Sequence, residues 1–154
     1  MSRKPITARS DTPFNKMWKL IFIKRISGIP VVDRKKTLLG IISEEDLIEK
    51  LYPSYEDYFF DPLYARDFEQ MEERVADVSH LKAKDFMSKQ VYTTTEDAPI
   101  MKAASSMLIY KVNCLPVVRE KRKKQILVGI ICKGDIFGQI FRSRLSDQKK
   151  KRSS

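Results

Sequence analysis

Apolar positions along the chain follow two alternating rhythms. Phe14, Met17, Trp18, Ile21 and Phe22 recur at i, i+3, i+4, i+7 and i+8, which predicts a helix with one buried stripe. Two short β-branched runs follow, Ile29-Pro-Val-Val32 and Leu38-Leu-Gly-Ile-Ile42. They flank a charged turn at Asp33 to Lys36 and read as adjacent antiparallel strands. Leu47, Ile48 and Leu51 mark a second helix. The same succession returns later: Ile100, Ala103, Ala104, Met107 and Leu108 on a helix, strands Leu115-Pro-Val-Val118 and Ile126 to Ile131, then Ile136, Phe137, Ile140 and Phe141. Each copy opens with a short predicted strand, Pro5 to Arg9 or Val91 to Thr95. Asp11-Thr-Pro13 and Asp97-Ala-Pro99 then look like helix starts, with Pro in the first turn where its missing N–H costs nothing.

The two copies are an internal repeat. A shift of 86 places Thr7, Asp11, Pro13, Lys16, Ile23, Pro30, Val31 and Val32 on Thr93, Asp97, Pro99, Lys102, Ile109, Pro116, Val117 and Val118. After a basic loop the shift becomes 89, and Leu38, Gly40, Ile41, Ile42 and Asp46 meet Leu127, Gly129, Ile130, Ile131 and Asp135. A unit of this size buries a poor core alone, so two units packed sheet to sheet are expected. The predicted class is α/β in the broad sense (α+β), with two pseudo-symmetric β-α-β-β-α repeats. The first is placed at 1–55 and the second at 84–145. Between them lies an acidic, aromatic-rich, partly helical connection at 56–83, and residues 146–154 read as a basic disordered tail.

Composition narrows the partners. The chain has 154 residues, 42% hydrophobic and 32% charged, with net charge +10. The charge is uneven: residues 44–77 hold 12 of the 20 acidic residues against Lys50, Arg66 and Arg74. The basic runs Arg119 to Lys124 and Lys149 to Arg152 invite a nucleic-acid or scaffolding reading. No aromatic residue is interleaved with them as a stacking platform, so a solvated loop and tail are the simpler reading. No apolar run approaches the roughly 20 residues of a membrane helix, and no signal peptide is read at the N-terminus. Cys114 and Cys132 sit in apolar stretches and read as small buried hydrophobes of a reducing, cytoplasmic compartment. Cys/His spacing for zinc, GxSxG, P-loop and GxGxxG motifs are all absent, so neither a metal site nor catalysis is expected. His80, the one histidine, reads as an exposed polar residue.

Ile26-Ser-Gly-Ile-Pro-Val-Val-Asp33 with Gly40-Ile-Ile-Ser-Glu-Glu-Asp46, and Val112-Asn-Cys-Leu-Pro-Val-Val118 with Gly129-Ile-Ile-Cys-Lys-Gly-Asp135, resemble a tandem pair of cystathionine-β-synthase-type (CBS) domains, a Bateman module. The resemblance implies a regulatory sensor, with clefts between the two repeats that bind an adenosine-containing ligand: AMP, ADP, ATP or S-adenosylmethionine. It also implies a homodimer and a regulated protein partner. The chain departs from the family where Cys132 replaces the usual Ser or Thr, where the linker before the first strand is nearly absent, and in its long connection.

Ribose presents two vicinal hydroxyls, and one fixed carboxylate accepts from both. Asp46 and Asp135 are the candidates, with Ser43 and Cys132 three residues upstream as further ribose contacts. By spacing alone, Ser43-x-x-Asp46 is also a capping box, and the two roles are compatible. By the resemblance, an adenine slot is lined by Ile26, Ser27, Ile29, Val91, Tyr92, Val112, Asn113 and Leu115. Ordinary sheet core is the stronger reading for Ile29 and Leu115. Glu44 and Glu45 beside Asp46, against Lys133 beside Asp135, direct an anionic phosphate to the second site, with Lys133 as its contact. Finally, Tyr52, Tyr55, Tyr58, Phe59, Phe60, Tyr64 and Phe68 crowd residues 52–68, either docking a partner or folding back on the module.

Overall fold

Residues 1–51 and 68–152 are described by the structure, a computed structural model; the aromatic cluster at 52–68, apart from Phe68, lies outside them. The chain divides into two compact units, Ile6–Val91 and Met1–Pro5 with Tyr92–Ser154. Each mixes helices with one antiparallel hairpin, an α+β fold. The partition differs from the predicted boundaries at both joins. The first five residues go with the second repeat, and residues 84–91, predicted for the second, go with the first.

In the unit Ile6–Val91, Pro13 precedes helix α1 (Phe14–Trp18), which continues as a π-helical turn over Lys19–Ile23. The Lys24 amide accordingly donates to the Lys19 carbonyl, 3.0 Å, five residues back. Phe14 and Met17 are wholly buried and Ile21 nearly so, while Trp18 and Phe22 pack on the cluster's edge. Phe14 meets Phe86 edge to face at 5.5 Å between centroids, a favoured aromatic geometry. Strand β1 (Gly28–Val32) pairs with β2 (Leu38–Ser43), with the register shifting between Val31 and Val32. All of β1 is buried, whereas β2 buries only Gly40 and Ile42. The turn between them is held by Asp33, whose Oδ1 accepts from the Lys35 and Thr37 amides. Helices α2 (Glu44–Leu51), α3 (Phe68–Val78) and α4 (Ala83–Phe86) complete the unit. Leu47 and Leu51 of α2 and Ala83 and Phe86 of α4 enter the core.

The predicted strand Pro5 to Arg9 is reduced to one parallel bridge, Ala8 to Val31. Its two bonds, Ala8 N–H to the Pro30 carbonyl and Val32 N–H to the Ala8 carbonyl, are both 2.9 Å. Val91 to Thr95 shrinks in the same way to a bridge between Thr94 and Val117 in the other unit. Proline in the middle of the partner strand donates no bond, which shortens any ladder at that edge.

In the second unit, α5 (Ile100–Tyr110) ends at Lys111, a left-handed cap with φ 55°. Ala103, Ala104 and Met107 are buried. The predicted stripe is wrong at both ends, because Ile100 opens the helix and Leu108 lies at the stripe's edge, and both are exposed. Strands β3 (Cys114–Lys121) and β4 (Lys124–Cys132) pair through the whole basic run, out to Lys121 and Lys124. Arg122 and Lys123 make the turn, both at positive φ, as a two-residue hairpin of primed type requires. Helix α6 (Lys133–Arg152) continues through the basic C-terminal run. The disordered tail predicted from residue 146 is therefore corrected: residues up to Arg152 are helical. Of the four apolar positions that mark this helix in the sequence only Ile136 is buried; Phe137, Ile140 and Phe141 are exposed.

Candidate functional site

Asp46 and Asp135 occupy the same place in the two units, the third residue of the helix that follows the hairpin. The chain turns from β2 into α2 at Ser43, and from β4 into α6 at Cys132. A carboxylate three residues into a helix reaches back to the free amide of the preceding residue and complements the positive end of the helix. Both do so: Asp46 Oδ2 accepts from Ser43 N at 2.8 Å, and Asp135 Oδ2 from Cys132 N at 3.0 Å. The capping role read from the spacing is thus present in both repeats. Neither carboxylate is sealed in a dry interior, Asp46 being half-buried and Asp135 exposed. Of the roughly four acceptor positions of a carboxylate, Asp135 uses one within the protein, whereas Asp46 uses three and keeps one, on Oδ1.

The two sites then diverge. Asp46 Oδ2 also accepts from the Ser43 hydroxyl at 3.0 Å, and Oδ1 from the Ser88 hydroxyl at 2.9 Å. Ser88 is carried there by backbone bonds to Ile41, its N donating at 2.9 Å and its O accepting at 3.0 Å. This approach requires Gly40, because a Cβ there would lie 2.8 Å from the Ser88 carbonyl oxygen and from Met87 Sδ. The second unit repeats the backbone arrangement with Ser2 on Ile130, at 2.9 and 3.0 Å, over Gly129. Among the described residues Asp135 has no counterpart of the Ser88 bond. Ser88 is a residue of the candidate site that motif reading missed. Its signal was present, since the shift of 86 also lays Met1-Ser2 on Met87-Ser88.

Cys132 corrects another expectation. It is disulfide-bonded to Cys114, and no cysteine is free. The two face each other across β3 and β4 in register, so proximity rather than burial decides their chemistry. With no thiol proton, Cys132 offers only its backbone N–H to Asp135.

The residues proposed for the adenine slot are dispersed in burial. Ile29 and Leu115 are wholly buried in the cores of their own units, the simpler of their two readings. Ile26 is half-buried against the first core and Val112 against the second. Ser27 and Asn113 are exposed, Val91 is half-buried, and the Asn113 carbonyl accepts from Lys133 N at 2.9 Å. Tyr92 stacks on Tyr110 with centroids 3.9 Å apart and an interplanar angle of 11°. A pocket of about 140 Å³ in the second unit is lined by Met1, Thr94, Glu96, Ile100, Val117 and Ile131, among others, and by none of the slot residues.

The CBS domain family model matches residues 1–53 and 83–142. The chain belongs to the CBS domain family. An uncharacterized protein of Methanocaldococcus jannaschii is 30% identical over 146 residues, covering 88% of this chain and 85% of its own length. Of a curated enzyme relative the chain spans only 21% of the length. The CBS domain pair of protein MJ0100, solved with 5′-methylthioadenosine and S-adenosyl-L-methionine, superposes with a TM-score of 0.65 at 23% identity, covering 94% of this chain and 93% of that one. CBSX2, solved with AMP, gives a TM-score of 0.64 at 21% identity, covering 92% and 90%. These likenesses concern the fold of a CBS pair. Among the described residues no helix is long and apolar enough to cross a membrane.

Proposed function

We propose that this CBS pair is a non-catalytic regulatory module that binds an adenosine-containing ligand, with Asp46 and Asp135 accepting the two ribose hydroxyls. The observation that carries this reading is the duplicated carboxylate. Each is fixed by a backbone N–H at the head of a helix, and each stays open to solvent. The adenosine ligands of the structurally similar pairs support the same class. AMP, ADP, ATP and S-adenosylmethionine all present the required diol. Lys133 beside Asp135, against exposed Glu44 and Glu45 beside Asp46, favours the anionic nucleotides at the second site. A homodimer that passes the bound state to a protein partner is the accompanying proposal.

A thermal-shift panel of these four ligands and adenosine tests it. Stabilisation that saturates in the micromolar to millimolar range and weakens in Asp46→Ala or Asp135→Ala supports the assignment and locates the site. No shift with any ligand, together with a steeply salt-dependent affinity for RNA, replaces it with the nucleic-acid reading.

A further inference from the structure

We infer that the Cys114–Cys132 bridge is a reversible redox site that sets the ligand affinity of the Asp135 site, an inference resting on the proposed adenosine function. The repeat itself points to it. Under the shifts of 86 and 89, Cys114 and Cys132 stand where the first unit has Gly28 and Ser43, and both pairs face each other in register. Ser43 serves Asp46 twice, through its amide and through its hydroxyl. Cys132 serves Asp135 once, through its amide, because its sulfur is bonded to Cys114. The bridge therefore removes from the second site the side-chain donor that the first site uses.

Reduction returns that donor. Cys114 is 5% exposed and Cys132 is half-buried, so the attack is assigned to the sulfur of the more exposed residue, Cys132. A dithiol reductant attacks it as the thiolate. The bond from Cys132 Sγ to Cys114 Sγ breaks, and Cys114 leaves as a thiolate that takes up a proton. The reductant's second thiol then displaces Cys132 from the mixed disulfide. The dithiol is oxidised to its own disulfide, and two electrons and two protons pass to the cysteines. The freed Cys132 thiol occupies the position equivalent to Ser43, three residues before Asp135. A thiol is a weaker donor than a hydroxyl but still holds the carboxylate oriented toward the sugar. The reduced site is the tighter one, by up to roughly fivefold, the ceiling that one ordinary net hydrogen bond sets.

The test uses the full chain and AMP as probe. Thiols are counted by maleimide mass shift in the folded protein, and AMP affinity is read as the concentration that half-protects the Cys132–Ile136 amides in hydrogen exchange. The expected result is no thiol before dithiothreitol, two after it and none again after glutathione disulfide, with half-protection at lower AMP, by up to roughly fivefold, in the reduced form. Cys132→Ser should bind like the reduced chain and ignore dithiothreitol; Cys114→Ala, which frees Cys132, should do the same. A bridge that reacts only after denaturation overturns the inference. So does equal AMP protection in both redox forms, which leaves the adenosine reading standing. Absence of protection in every form, with thiols still titrating, removes the adenosine reading and the coupling together.

Discussion

Gly40 offers a perturbation whose size follows from the geometry. Its φ is not positive, so alanine is allowed by the backbone; what alanine lacks is room. The added Cβ would fall 2.8 Å from the Ser88 carbonyl oxygen, and that oxygen is already held by Ile41 N at 3.0 Å. A flexible side chain could swing away, but a backbone carbonyl in a two-bond bridge moves only with its segment. Displacing it loses two backbone bonds, each contributing about 0.5–1.5 kcal/mol net, and strains the charge-assisted bond from Ser88 to Asp46, about 1.5–3 kcal/mol when sheltered and less here because Asp46 is only half-buried. Removing glycine from a strand returns about 0.5–1 kcal/mol. The net destabilisation is about 2–4 kcal/mol, a fall in Tm on the order of 5–15 °C for a chain of this size. Urea denaturation gives the free energy, and hydrogen exchange at the Ile41 and Ser88 amides gives the location. Gly134→Ala is the matched control, since nothing lies within 4 Å of its added Cβ and it sits in a helix; it should be neutral or stabilising by up to about 1 kcal/mol. If Gly40→Ala unfolds with the wild type and the Ile41 amide stays protected, the claim that this glycine makes room for Ser88 is wrong.

Three further outcomes follow from named contacts. Ser88→Ala should destabilise by about 1 kcal/mol in urea denaturation, because it deletes one hydrogen bond to a half-buried carboxylate. Reducing the Cys114–Cys132 bridge, which closes a loop of 18 residues' separation, should lower stability by about 3 kcal/mol, read by the denaturation midpoint with and without dithiothreitol. Asp97 is held below the ordinary aspartate range by the Thr95 hydroxyl first, at 2.7 Å, and then by its own backbone N–H. A carboxylate depressed in the folded state contributes stability above its unfolded pKa, and that contribution is lost as pH falls through the folded value. Thr95→Ala should therefore raise the Asp97 titration in carboxyl-detected NMR and flatten the acid limb of stability; an unmoved titration counts against the bond.

Much of the scaffold was legible because the repeat is written in residues with local consequences. Pro30 and Pro116 fix strand centres, Gly40 and Gly129 face them one step along, and Asp46 and Asp135 head helices. What escaped reading depends on register and on swapped segments. Cys114 and Cys132 look like isolated apolar positions until Val117 is laid opposite Gly129, which brings the cysteines face to face. Ser88 and Ser2 act in units other than those their sequence positions suggest, so adjacency along the chain hides them. The basic run 119–124 read as a loop because its charges obscured a paired hairpin, in which Arg119 is also ion-paired with Glu96. Apolar spacing likewise marked Phe137, Ile140 and Phe141 together with Ile136 on one helix, of which the core receives only Ile136.

Comparing adenosine with 2′-deoxyadenosine and 3′-deoxyadenosine by titration calorimetry bears most directly on the carboxylate–diol assignment. Each missing hydroxyl removes one charge-assisted bond, so both deoxynucleosides should bind at least about tenfold more weakly than adenosine. In Asp46→Ala/Asp135→Ala the three nucleosides should become indistinguishable. Equal affinity for all three in the wild-type chain would contradict the account.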